Sequence, residues 1–272
     1  MISARAAKRL DLKITWTVRM RLSDKVTIVT GAAAGLGRAV AARFALEGAS
    51  VVIADINETA GASLADELKC KGLKAIFVCT DVSREQDVKA LIAATLDCFG
   101  RIDVLHNNAG VLLNDCDHPV HQLSVETWDY VMDINLRGAF LCARNVVPEM
   151  MKQGSGSIVY LGSPTAIAGC APRLTAYSTS KAGIMGLTRV MAAAYARNGI
   201  RVNAIIPGTM ETPMNRYILA DEAMREEFRE AVPLGRLGTP SDIEGIAVFL
   251  ASDEASYCTG GFYACDGGLT AV

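Results

Sequence analysis

Val26-Thr27-Ile28-Val29, a run rich in β-branched residues, gives way to Thr30-Gly31-Ala32-Ala33-Ala34-Gly35-Leu36-Gly37 and then to apolar residues at 36, 40, 44 and 45 in helical spacing up to Glu47. Nothing else in the chain restricts its fold so strongly, because the order strand, glycine loop, helix leaves few arrangements. Glycines at 31, 35 and 37 permit a tight turn, let backbone approach a pyrophosphate, and let the helix pack close to the strand. The helix N-terminus offers unpaired N–H groups and the positive end of its dipole to phosphates. Val51-Val52-Ile53-Ala54 supplies a second strand, and Asp55 closes it eighteen residues after Gly37. A carboxylate there accepts hydrogen bonds from both ribose hydroxyls and repels a 2′-phosphate, which points to NAD rather than NADP. The plain alternative for Asp55 is a turn acid, and the loop before it speaks against that.

The pattern repeats. Ala75-Ile76-Phe77-Val78 reads as a third strand followed by Asp81-Val82, residues 84–99 carry a helical stripe, and Val104-Leu105-His106-Asn107 is a fourth strand leading into Asn107-Asn108-Ala109-Gly110. Alternating strands and helices with such connections predict an α/β, doubly wound parallel sheet with ligands at the carboxyl ends of the strands. At 272 residues, 51% hydrophobic, the chain supports one large core: a single domain over 21–272 is expected. Net charge is −2 and no charge-free apolar run reaches about 18 residues, so neither nucleic acid nor a membrane is an expected partner. Residues 1–20 hold five Arg or Lys against one Asp. They read as an extension peripheral to function or, alternatively, as a basic targeting peptide. Eight cysteines show no C-x-x-C and no metal-ligand spacing, so no metal site is expected; they read as reduced, mostly buried thiols of a cytoplasmic protein. Cys170 stands apart because it falls between Ser163 and Tyr177: it is read as a core or loop thiol, with a place in the substrate site as the alternative.

Ser157-Ile158-Val159-Tyr160-Leu161 reads as the fifth strand, so Ser163 emerges at its ligand end, placed to donate a hydrogen bond to a substrate oxygen. No Ser-His-Asp arrangement or G-x-S-x-G accompanies it, which excludes a nucleophilic serine on that pattern. Fourteen residues later, Tyr177 and Lys181 are four apart and share one face of a helix over 175–198. An ammonium beside a phenol favours the phenolate, so the pair is expected to lower the tyrosine pKa into the range of acid–base work. The bland alternative is a surface tyrosine covered by a lysine stem. A long helical region over 124–151 contains Asn135, a poor helix-interior residue, and residues 201–206 form a sixth strand ending in Pro207-Gly208-Thr209-Met210-Glu211-Thr212.

These motifs, T-G-x-x-x-G-x-G at Thr30 to Gly37, N-N-A-G at Asn107 to Gly110, Asn135, Ser163, Y-x-x-x-K at Tyr177 to Lys181, and Pro207-Gly208 with Thr212, resemble the classical short-chain dehydrogenase/reductase family from about Arg21 onward. The resemblance implies a Rossmann-type sheet of about seven strands in three α/β/α layers, and a catalytic set of Asn135, Ser163, Tyr177 and Lys181. Asn135 would hold, through its backbone carbonyl, a water linking Lys181 to solvent. The implied cofactor site comprises Gly31, Ala34, Gly35, Leu36, Gly37, Asp55, Ile56, Asp81, Val82, Asn108, Ala109, Gly110, Tyr177, Lys181, Pro207, Gly208, Met210 and Thr212, the last two holding the nicotinamide carboxamide. In NADP-using members a basic residue commonly precedes the middle glycine, where this chain has Ala34. Pro164, and an interval from Ser163 to Tyr177 one residue longer than usual, depart from the pattern and put the shape of that loop in question. Substrate residues are expected in 111–123, 164–176 and 213–232; the last is a lid by resemblance and a solvated helix by composition. The tail resembles that of homotetrameric members. The function implied is hydride transfer between NAD and a small secondary alcohol or ketone. The rivals are an NADP-linked reductase of the ketoacyl carrier-protein type and a non-catalytic dinucleotide-binding sensor or scaffold.

Overall fold

The structure is a computed structural model that describes residues 20–272, so the reading of the first twenty residues falls, Met20 apart, outside the described residues. The described strands are β1 (Val26–Thr30), β2 (Ser50–Asp55), β3 (Ala75–Cys79), β4 (Val104–Asn107), β5 (Gly156–Leu161), β6 (Ile200–Pro207) and β7 (Phe262–Cys265). They form one sheet in the order 3-2-1-4-5-6-7, parallel at every pairing. Between them run α1 (Gly35–Leu46), α2 (Glu58–Cys70), α3 (Glu85–Phe99), α4 (Val125–Met132), α5 (Ala139–Gln153), α6 (Thr175–Tyr195), α7 (Arg216–Leu219), α8 (Glu222–Glu230) and α9 (Ser241–Ala251). This is the doubly wound, Rossmann-type architecture the strand runs predict.

Parallel strands covered on both faces must be apolar at successive residues, and each strand divides its residues between two cores. Val29, Val51, Ile53, Val104, Val159 and Ile205 turn to one face, where Val40 and Phe44 of α1, Leu64 of α2 and Ile243 and Val248 of α9 meet them. Ile28, Val52, Leu105, Ile158, Tyr160 and Val202 turn to the other, against Leu91 of α3, Val146 and Met150 of α5 and Ile184 and Met191 of α6. Phe44 is fully buried and meets His106 edge-on at 5.9 Å, a packing whose truncation to Ala costs ~3–5 kcal/mol. Burial pushes the His106 imidazole down to about 3, so it sits in the core as a neutral ring.

The strand order reverses between β1 and β4, and a crevice opens there at their carboxyl ends. Helix α2 adds an element that the alternation implied without marking its extent; its interior Gly61 lies against the ring of Phe77, where a side chain would collide. The helical region over 124–151 contains a π turn, Asp133–Gly138, joining α4 to α5 and carrying Asn135. A residue that fits poorly inside an α-helix is thus found where the helical bonding changes. The expectation of mostly buried cysteines is wrong: Cys70, Cys79, Cys98, Cys116 and Cys170 are exposed, Cys142 is buried, and all eight are free thiols. Several of them sit on the outer surfaces of helices and loops, which apolar periodicity alone does not separate from core positions. Among the described residues no helix is long and apolar enough to cross a membrane.

Candidate active site

The crevice is one continuous cleft of about 750 Å³, lined by the glycine loop, the carboxyl ends of the strands and the segment after β6. Its first half is stitched together across the β1/β4 divide. Thr30 Oγ1 accepts the N–H groups of Asn108 and Ala109, both at 3.0 Å, while Asn108 Nδ2 donates to the carbonyls of Thr30 at 2.9 Å and Gly31 at 3.0 Å. Gly31 has φ 63°, and a Cβ there would stand 2.8 Å from Ala109 Cα, so the loop tolerates only glycine. A side chain at Gly37 would overlap the Gly31 carbonyl, which is why α1 can rise so close to the strand end. The N-terminus of α1 has no side-chain cap at Ala34 and no acid in its first turn, leaving the N–H groups and dipole available to an anion. Asp55 lines the cleft with its carboxylate fixed by the N–H groups of Ala33 and Asn57, each at 2.9 Å. Thr212, nine-tenths buried, faces Gly35 from the opposite wall, its Cβ 3.6 Å from where a Cβ of that glycine would lie. An open helix N-terminus, a glycine loop and a ribose-height carboxylate in one cleft fit a nicotinamide dinucleotide.

The second half gathers the polar groups. Ser163 follows β5 and is buried; its Oγ accepts Thr165 N–H at 3.3 Å and the Thr165 hydroxyl at 3.0 Å, capping a short turn (Pro164–Ala166). Pro164 occupies the first position of that turn, where no N–H is required, so the departure at Pro164 is accommodated without distortion of the serine. Lys181 is 6% exposed, donates to the Leu161 carbonyl at 3.0 Å, and lies 5.7 Å from the centre of the Tyr177 ring. Burial pushes its ammonium down to about 8. The Tyr177 phenol is pushed up to about 12: loss of water raises it, a hydrogen bond from Ser163 works against that, and the nearby Tyr217 adds to the rise. This corrects the expectation that the lysine lowers the phenol. In the protein alone, desolvation dominates and the ammonium is engaged by a backbone carbonyl.

Asn135 and Gly37 stand behind the cleft wall, whereas Ser163, Tyr177, Lys181 and the other expected cofactor residues line it. The Asn135 amide donates to the Val111 carbonyl at 2.9 Å and Ser180 Oγ at 3.1 Å and accepts Val111 N–H at 2.7 Å, tying the loop after β4 to α6. Cys170 is an exposed loop thiol, as read, and it also lines the cleft. The segment over 213–232 lies against it through Met214, Tyr217, Ile218, Glu227, Phe228 and Ala231. Sequence reasoning missed Leu269 in the wall, and it missed Asp117. The fully buried Asp117 carboxylate accepts the N–H groups of Ala176 at 3.0 Å and Tyr177 at 2.9 Å, capping α6 at a position where Leu174 makes no side-chain cap. The missed signal was an acid followed by no helix of its own, with an uncapped helix start elsewhere.

Residues 31–270 match the family model described as enoyl-(acyl carrier protein) reductase. Given that match, the sheet order and the cleft, the chain belongs to the classical short-chain dehydrogenase/reductase family of oxidoreductases. It is 43% identical over 257 residues to the uncharacterized oxidoreductase YxbG of Bacillus subtilis (strain 168), covering 92% of this chain and 93% of that one. It is 41% identical over 250 residues to the 3-oxoacyl-[acyl-carrier-protein] reductase FabG of Thermotoga maritima, covering 92% and 99%. A crystal structure of a gluconate 5-dehydrogenase from Burkholderia cenocepacia J2315, in complex with NADP and tartrate, superposes with a TM-score of 0.88 at 33% identity, covering 93% of this chain and 98% of that one.

Proposed function

We propose that the protein is an NAD-dependent dehydrogenase or reductase acting on a small secondary alcohol or the matching ketone. The observation that carries this is the meeting of Ser163, Tyr177 and Lys181 in the same cleft as the glycine loop and Asp55. Gly31, Ala34, Gly35 and Leu36 would hold the pyrophosphate, Asp55 and Ile56 the adenosine ribose, and Pro207, Gly208, Met210 and Thr212 the nicotinamide end. When bound, the dinucleotide accepts or returns the hydride and, oxidised, brings a positive charge to the cleft. Tyr177 takes the hydroxyl proton in oxidation and gives it back in reduction. The Lys181 ammonium holds the deprotonated phenol, Ser163 donates to the substrate oxygen, and Asn135 keeps the loop and α6 in register beside the proton path.

Charge supports NAD rather than NADP. A 2′-phosphate near Asp55 meets a carboxylate, and the one basic side chain lining the cleft among the described residues, Lys181, is engaged in donating to Leu161. Arg38, the nearest basic residue of α1, is paired with Glu67 at 2.6 Å. The NADP in the Burkholderia structure supports the opposite reading. Comparing kcat/KM with NAD and NADP on one alcohol decides between them, and preference for NADP sinks the assignment. The relatives' substrates, an acyl thioester and gluconate, support action on a CH–OH centre and no single compound. The proposal includes a homotetramer, supported by the exposed Val125, Tyr130, Phe140 and Val190 on α4, α5 and α6, and checked by light scattering on the purified chain. Eight free thiols suit the reducing cytoplasm, where the proposal places it.

A further inference from the structure

The end of the cleft beyond the reacting groups narrows the alcohol it takes, and this inference rests on the oxidoreductase reading above. Leu112 from the loop after β4, Leu174 before α6, Met214 and Phe228 from the segment after β6, and Leu269 from the tail all line the cleft and bring hydrocarbon to its walls from four separate parts of the chain. Groups able to hydrogen-bond without charge cluster where the reacting oxygen would sit: Ser163, Thr165 and Tyr177, with Tyr217 close enough to Tyr177 to influence its ionisation.

Charge in the cleft runs one way. Among the described residues its carboxylates are Asp55, Asp81, Asp133 and Glu227, and its one basic side chain is Lys181. Of these, Glu227 is exposed and belongs to α8, where it precedes Phe228 in the cleft lining. Arg137 donates to the Ser83 carbonyl at 3.0 Å and stands 3.7 Å from Asp133, offsetting that carboxylate, whereas the arginines near Glu227 face elsewhere. Arg225 pairs with Glu211 at 2.9 Å and Arg229 pairs with Glu226, both on the rim of a separate surface hollow that holds Arg236 as well. Arg173 and Arg216 are exposed and do not line the cleft. A carboxylate, sulfonate or phosphate on the substrate would therefore give up water for hydrocarbon, with a like charge at Glu227 and, among the described residues, no free cation in the lining to receive it.

We propose that the site selects an uncharged secondary alcohol or ketone with a compact hydrocarbon body, and discriminates against hydroxy acids and other anionic alcohols through its apolar walls and Glu227. Two matched pairs separate charge from shape: methyl 4-hydroxycyclohexanecarboxylate against its free acid, and ethyl 3-hydroxybutanoate against 3-hydroxybutanoate. Each is assayed with the full chain at pH 7.5, with NAD and separately with NADP. The expected result is a kcat/KM at least 100-fold higher for the ester in at least one pair and no pair favouring the acid. In Glu227→Lys, and to a lesser degree Glu227→Gln, the gap narrows tenfold or more. Equal or better turnover of the acids overturns the inference while leaving the oxidoreductase reading intact. Absence of turnover for all four compounds with both cofactors overturns that reading, and the inference with it.

Discussion

The two halves of the cleft are built differently. Around the glycine loop, strand ends lock to one another through Thr30, Asn108 and backbone groups, on elements whose side chains fill two cores. Around the substrate end, the walls are the 164–174 loop and the short helices α7 and α8, the second of which has no buried residue. Contacts that position a shared cofactor are thus held by the whole fold, and contacts that choose an alcohol are held by segments the core does not need. The first half resists change, and the second absorbs it.

The contrast is broken most sharply by the groups between the halves. Tyr177→Phe should lower kcat at least ~1,000-fold while the NAD dissociation constant, followed by calorimetry, stays within about threefold. An active Tyr177→Phe enzyme refutes the proton-transfer role. Next in size is the pH dependence. Because the phenol is held up at about 12, it is protonated near neutrality, and oxidation needs it deprotonated, so kcat/KM for alcohol oxidation should climb with pH by up to about tenfold per unit from pH 6. The climb should flatten above about 8, where Lys181 loses its proton, while ketone reduction stays level over the lower range. A flat oxidation profile from 6 to 8 contradicts this.

Smaller effects sharpen each side. Asp55→Ala removes the carboxylate at the ribose end and should cut the NAD-over-NADP ratio of kcat/KM by about 10- to 100-fold, at a Coulomb energy of ~1–3 kcal/mol. No change in that ratio would show the discrimination lies elsewhere. Asp117→Ala uncaps α6 and should cost ~1–2 kcal/mol in urea unfolding together with a several-fold loss in kcat; unaltered stability would mean the two N–H bonds carry little. Phe228→Ala, on the exposed helix, should change the melting temperature by less than about 2 °C and raise KM for the alcohol several-fold. A large stability loss there would abolish the distinction between the halves.

What was legible in the sequence was what is encoded locally. Strands buried on both faces announce themselves as short β-branched runs, and the glycine loop and the Tyr177–Lys181 spacing are properties of a few neighbouring residues. What escaped depends on partners distant in the chain. Asp117 looks like a surface acid until the start of α6 comes within 3.0 Å of it. The direction of the Tyr177 shift depends on how completely the cleft removes water, a property of the walls and not of the spacing to Lys181. Of the five exposed cysteines, Cys70 and Cys98 lie on helices, Cys79 ends β3, and Cys116 and Cys170 lie in loops; a small apolar residue carries no mark of which side of its element it occupies.

The pairing of β4 with β1 spans 77 positions between Thr27 and Val104, and β2 and β3 lie beyond β1 on the far side. The nucleotide-binding turn cannot therefore be completed while the chain emerges from the ribosome until Asn108 and Ala109 have joined it, and its far wall waits for Thr212. Such long loop closures make maturation slow relative to helical proteins of the same size. A ligand that binds only the finished crevice should then act late, drawing the last docking events toward the native state rather than seeding the first.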